Sequence, residues 1–180
     1  MKKVLLICWG VLILTSCNDN GVSTSEARKD TSAKEVNVQK MDYPYTIDHP
    51  DNWEMGSNQN AMNVLLAIKA FENGNVAESM KYFGDSVHLH FDGLDTKLSN
   101  DSLKSFFTRM RGGYKSMEVR MDDWEPVISK DKKEEWVTVW YRQKWEDVTG
   151  KKDSSDIVDD LQMKDGKIIR LDEYTRKLHN

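Results

Sequence analysis

Residues that could do chemistry fall in two places. The first is His88-Leu89-His90. On a strand the two imidazoles share one face about 6.6 Å apart at Cα, a spacing at which two ring nitrogens can share an ion. Asp92 lies about another 6.6 Å along and does not easily reach the same ion as His88. His49 and His179 are remote in sequence, so a third ligand is missing and no metal or other cofactor is expected. The second place is Asp156, Asp159 and Asp160. On a strand Asp159 shares its face with Ile157, Leu161 and Met163, and an acid on an apolar stripe is costly unless paired or protonated. Asp159 is the leading pocket candidate, with His88 or His90 as a candidate partner in acid/base work. The structural alternative is an ion pair with Arg142 or another cation. Trp124, Trp136, Trp140 and Trp145 offer flat apolar surface that suits a cavity wall, a sheet core or a subunit interface.

Periodicity says which elements must hold these residues. Val64, Leu65, Ile68 and Phe71 recur at helical spacing, and Asn73-Gly74 stops that helix. Asn75 caps a second helix, and Glu78 stands where a capping box needs it. Val76, Met80 and Phe83 form its stripe, and Gly84-Asp85 breaks it. From Ser86 the period is two: Val87, Leu89 and Phe91 point one way, His88, His90 and Asp92 the other, and Gly93 ends the strand. A third helix, capped by Ser99 or Asn100, carries Leu103, Phe106, Phe107 and Met110 before Gly112-Gly113. Four strands follow: Lys115 to Ser129, Glu135 to Val148, Ser155 to Met163 and Lys167 to Arg176, the last two joined by an Asp165-Gly166 turn. On the longest β-signal, Trp136, Thr138, Trp140 and Arg142 share one face, and Val137, Val139, Tyr141 and Trp145 the other. Both faces are apolar, so both need a cover.

This order resembles the NTF2-like domains of the SnoaL-like kind, from about Asn58 to Leu178. The resemblance is carried by Phe71-Glu72-Asn73-Gly74-Asn75, by Lys81-Tyr82-Phe83-Gly84-Asp85 and by the strand from Val87 to Gly93. It implies an α+β fold, a strongly curved antiparallel β-sheet wrapped as a cone around three N-terminal helices, with a cavity inside. The ketosteroid isomerases of this superfamily use a carboxylate base, a tyrosine donor and a protonated acid donor. Ungapped alignment puts Phe91 at the base position and Ala67 at the tyrosine position; only Asp159 matches, as the acid donor. The expected function is therefore a non-catalytic module for a small hydrophobic ligand or a partner. Its expected pocket residues are Leu89, Phe91, Trp124, Trp140, Tyr141 and Asp159. The alternative is a SnoaL-like enzyme with isomerase-, cyclase- or hydratase-type chemistry on a hydrophobic substrate, using Asp159, His88 or His90. Such domains commonly dimerise through the outer sheet face, so a homodimer is expected there.

The leading residues speak of location. Met1-Lys2-Lys3 is a basic start, and Val4 to Leu14 is an apolar run too short to cross a bilayer of about 30 Å comfortably. Leu14-Thr15-Ser16-Cys17 resembles the lipobox of bacterial lipoproteins. That implies a signal peptide at 1–16, lipidation of Cys17, and a bacterial cell envelope location. Asn18 after the anchor points to the outer membrane. Residues 17–40 are polar and read as a flexible tether, 41–57 as an extended arm packed on the domain, and 58–180 as the domain. Cys8 falls in the signal and Cys17 is the anchor, so no thiol remains for a disulfide or a thiolate site. The net charge of −4 becomes −6 once Lys2 and Lys3 leave with the signal. An acidic chain without a basic cluster excludes nucleic acid as a partner and leaves membrane contact to the lipid.

Overall fold

A computed structural model describes residues 42–47, 52–91 and 93–178. The signal, Cys17, the tether, His49, Asp92 and His179 lie outside the described residues. The chain divides after Pro44. Of the first unit Asp42, Tyr43 and Pro44 are described, all exposed. The second unit, from Tyr45, carries every helix and strand among the described residues.

Helix α1 spans Asn58–Glu72 and is capped by Ser57, whose side chain accepts from the Asn60 N–H. Its buried side holds Ala61, Val64, Ala67 and Ala70. Helix α2 is one turn, Val76–Ser79, and passes into a 3-10 turn at Met80–Tyr82. Asn75 caps α2 by accepting from the Glu78 N–H, but the Glu78 carboxylate turns outward to Lys81 at 2.6 Å, so the expected capping box forms only its first half. Helix α3, Asn100–Gly112, buries Leu103 and Phe107 and is capped by Ser99.

Among the described residues seven strands make one sheet: β1 Trp53–Met55, β2 Phe83–Phe91, β3 Leu94–Ser99, β4 Tyr114–Ser129, β5 Glu135–Asp147, β6 Lys152–Lys164 and β7 Lys167–Lys177. Their order is β1-β4-β5-β6-β7-β2-β3, and only the contact between β2 and β7 is parallel. The four-strand run β4 to β7 is a meander of adjacent hairpins. Its last turn, Asp165-Gly166, has positive φ at both residues, 51° and 74°, as a two-residue hairpin of the expected kind needs. Strand β2 ends before Gly93, as expected, but Gly93, at φ 74°, leads the chain back into β3, an unexpected strand that pairs with β2 as a hairpin. Within 41–57, Trp53–Met55 joins the edge of the sheet beside Val127–Ser129.

The helices fill the concave side of the sheet. Val64, Val87, Leu89, Leu103, Val137, Val139 and Ile168 are fully buried there. Alternation along β5 follows the expected two faces. Val137, Val139 and Tyr141 are buried, and Trp136, Thr138, Trp140 and Arg142 are half-buried on the convex side.

Candidate functional site

The concave face of β5, β6 and β7 brings three polar side chains together among apolar ones. Asp159 lies between Ile157 and Leu161 on that face and is only 4% exposed. Tyr141 pairs with Ile157 across β5 and β6, which makes Asp159 its diagonal neighbour. The tyrosine hydroxyl donates to Asp159 Oδ2 at 2.9 Å. Glu173 is the register partner of Asp159 on β7 and faces the same way.

These groups border a cavity of about 150 Å³ between the sheet and the helices. Ala67, Ile68 and Phe71 of α1, Phe107 and Met110 of α3, and Phe83 and Phe91 of β2 supply its apolar walls. Phe107 stands edge-on to both Phe71 and Phe83, each with ring centroids 5.5 Å away. Tyr114, Met117 and Gln143, all half-buried, also line it.

Asp159 Oδ1 is buried and has no hydrogen-bond partner. Burial pushes the Asp159 carboxyl well above the usual carboxylate range, and the negative charge of Glu173 adds to this; the Tyr141 hydrogen bond acts in the opposite direction. Burial also raises the Tyr141 phenol well above its ordinary value, helped by the charges of Asp159 and Glu173. Burial and Glu173 raise the Tyr114 phenol too. The site therefore presents groups that keep their protons inside an apolar wall.

One strap fixes the rim. The Arg111 guanidinium donates to the Phe71 carbonyl at 3.0 Å, to the Glu72 carbonyl at 3.0 Å and to the Tyr114 carbonyl at 2.8 Å. The Glu72 carboxylate accepts from the Val119 N–H at 3.2 Å and from Lys69 at 2.7 Å. Phe71, Tyr114 and Val119 all line the cavity. The last carbonyls of α1 are thus satisfied by a residue that also ties α1 to the start of β4.

The candidate residues separate into those at the cavity and those away from it. Phe91, Tyr141 and Asp159 line it, as does Ala67. Phe91 and Ala67 occupy the positions where the family resemblance puts a catalytic base and a tyrosine. Leu89 does not line the cavity; it is sealed in the core. Trp140 points to the convex side, one residue from Tyr141. Trp124 pairs in register with Val139 but is 47% exposed and away from the cavity.

His88 and His90 do not meet Asp159, because both stand on the face opposite Leu89. Their rings stack 6.5 Å apart on the convex side. His88 Nε2 is 2.5 Å from Asp95 Oδ1, and His90 Nδ1 is 3.7 Å from Asp172 Oδ1. Asp172 also accepts two bonds from Arg170 Nε, at 2.8 and 3.0 Å. Among the described residues no group of three or more His, Cys, Asp or Glu is arranged to hold a metal ion. Arg142 is not the partner of Asp159 either. It pairs with Asp156 at 2.7 Å, and Arg176 holds the same carboxylate. The two guanidinium hydrogen bonds lower Asp156 to about 2.

Solved structures give this arrangement its fold name. AusH from Aspergillus nidulans aligns with a TM-score of 0.55 at 16% identity, over 68% of this chain and 87% of that one. An NTF2-like protein of unknown function from Exiguobacterium sp. 255-15 aligns with a TM-score of 0.54 at 15% identity, over 63% of this chain and 98% of that one. The fold is NTF2-like. An LEH-like epoxide hydrolase from M. tuberculosis shares this NTF2-like architecture, with a TM-score of 0.53 at 15% identity over 67% of this chain and 84% of that one. No family model matches the sequence, and no curated protein matches it. NTF2-like neighbours thus include both enzymes and proteins of unassigned role, and the site must carry the functional argument.

Proposed function

We propose that the protein is an envelope lipoprotein whose NTF2-like domain binds a small, largely apolar ligand in the concave cavity. One observation carries this reading. Asp159 Oδ1 is buried without a partner in the wall of a mostly apolar cavity. An unsatisfied buried polar atom costs about 1–3 kcal/mol, and a ligand with one well-placed polar group removes that cost. The volume, about 150 Å³, sets the size of the ligand. A dry apolar cavity of about that volume holds a benzene-sized molecule, so a body of one ring fits and anything larger must project beyond the cavity. Binding without turnover fits the separation of His88 and His90 from the cavity. A second copy of the chain covering the convex face, where Trp140, Val158 and Tyr174 line up across three strands, belongs to the same proposal.

A second reading has its own support. Glu173 beside two groups that hold their protons makes an acid/base set, which suits a SnoaL-like enzyme acting on a hydrophobic substrate.

Native mass spectrometry of the full chain taken from the envelope tests the binding reading. The expected result is a retained small molecule that is absent from Ala67→Phe, in which the new ring fills the cavity. Loss of that molecule as a chemically altered product over time would favour the enzyme. An empty protein that no one-ring compound stabilises against heat would refute both.

A further inference from the structure

Strand β4 is the longest of the described strands, and among the described residues it has a strand on both sides only at Val127–Ser129, where β1 joins it. From Tyr114 to Pro126 one side of it is a sheet edge. An edge of that length offers unpaired N–H and C=O groups to another strand. The structure closes this edge at separate points. Gly56 donates to the Pro126 carbonyl at 2.9 Å, and Pro126 has no N–H. The Trp124 N–H donates to the carboxylate of Asp123, its own neighbour, at 2.8 Å. The Tyr114 carbonyl accepts from Arg111 at 2.8 Å. Between these points lies Val119, whose N–H donates to Glu72 Oε1 at 3.2 Å, 47 residues away in the chain. Glu72 is only 9% exposed, an expensive place for a carboxylate, and its other oxygen is held by Lys69 at 2.7 Å. The carboxylate stands where the carbonyl of a neighbouring strand would stand.

The residues around Val119 are complementary to themselves. An antiparallel copy of β4 centred on Val119 sets Glu118 against Arg120 on both sides of the axis, and Met117 against Met121. The register from Ser116 to Met121 is regular against β5, so Glu118 and Arg120 share the convex side, and Met117, Val119 and Met121 the concave side. Glu118 and Arg120 are both exposed. Arg120 holds Asp122 at 2.9 Å, but a pair between two exposed side chains is weak, and another carboxylate can replace it. The Val119 N–H and carbonyl would form the central bonded pair of the new contact. We propose that Glu72 is a lock on a self-pairing edge. While its carboxylate holds the Val119 N–H, β4 stays closed; when it lets go, two copies of the chain join β4 to β4, antiparallel about Val119. This contact differs from the convex-face pairing and does not depend on the cavity holding a ligand.

Native mass spectrometry of the full chain counts the copies, with the parent's count as the reference. Glu72→Ala keeps the backbone carbonyl that Arg111 holds and removes the lock, so the expected result is a doubled count at high protein concentration. Glu72→Gln keeps an acceptor for Val119 and is expected to match the parent. Arg120→Glu added to Glu72→Ala sets like charges against each other at both pairs and is expected to return the count to the parent's. Adding Glu118→Arg as well restores opposite charges and is expected to double it again. A Glu72→Ala protein that keeps the parent's count overturns the proposal, and so does a doubling that ignores the charges of Glu118 and Arg120. Hydrogen exchange in the parent decides the lock even if Glu72→Ala does not fold. The Val119 N–H is expected to exchange at least about tenfold more slowly than the N–H groups of Met117 and Met121, which face the same edge. Equal rates at the three positions overturn the lock.

Discussion

Replacing Asp159 with Asn should make the protein more stable, and the gain should grow with pH. Asn keeps the shape of the side chain and an oxygen for the Tyr141 hydroxyl. The difference lies in the proton. Burial raises the folded-state value of Asp159 well above its ordinary value of 3.8. Between those two values the folded protein holds a proton that the unfolded chain has released. The stability contributed by this group is thus fully present below 3.8 and is lost as pH rises through the raised value. The loss proceeds at up to about 1.4 kcal/mol per pH unit for one group. Asn has no proton to lose, so the two proteins should match near pH 4. By about pH 8 the variant should be the more stable of the two, with each kcal/mol of gain readable as a shift in melting temperature. For a domain of this size that is roughly 4 °C in melting temperature per kcal/mol. Tyr141 does not interfere, because its shift is upward from 10 and lies above the scanned range. Denaturant unfolding of both proteins at intervals from pH 4 to pH 8 measures the difference directly. A variant less stable than the parent at pH 8, or a difference that does not change with pH, would show that Asp159 is ionised and partnered in the folded state, and the burial argument would fall.

Three further outcomes are expected. Arg111→Ala leaves the Phe71, Glu72 and Tyr114 carbonyls without their shared donor and should cost about 2–4 kcal/mol in denaturant unfolding, with weaker ligand binding because the cavity rim loosens; an unchanged midpoint would mean that the α1 terminus is held by other groups. Gly56→Ala places a Cβ 2.9 Å from the backbone of Val127, where β1 meets β4, and should cost about 1–3 kcal/mol, read as a lower melting temperature; a neutral effect would show that this edge yields freely. Cys17→Ser should give a precursor that no longer incorporates labelled lipid, and unchanged lipid labelling and membrane fractionation would remove the anchor from the account.

Most of the strand pattern was legible because one face of each strand is buried and the other is not. Val137, Val139 and Tyr141 alternate cleanly with Trp136, Thr138 and Trp140, and Asp159 stands out as the one acid on a buried apolar stripe. Glu173 was missed for a definite reason. The ladder slips at Ile169, so Ile168 and Leu171 share the inner face although they are three residues apart. Counting by twos from Ile168 places Arg170 and Asp172 inside and Glu173 outside, the reverse of what forms. A similar slip between Met121 and Asp123 disturbs the alternation that would have located Trp124. Strand β3 did carry a signal in Leu94, Thr96 and Leu98, but six residues behind a glycine are easily taken for a loop. Strand β1 spans three residues, too few for any period to appear. The separation of the histidines from Asp159 follows from alternation on β2. Alternation within β2 and within β6 does not relate their faces to each other; that relation is set by the parallel contact of β2 with β7, which the sequence does not announce.

That parallel contact has a kinetic consequence. The meander from β4 to β7 can assemble by successive hairpins between near neighbours in sequence, but β2 and β3 have no place in the sheet until β7 exists to receive them. Leu89 and Leu171 are register partners separated by most of the domain. Closing a loop of that length precedes any reward from the contact, which puts the rate-limiting step late and makes folding slow for a chain of this size. A chain still lacking Ile168 to Asp172 would therefore hold the β2–β3 hairpin without its neighbour in the sheet.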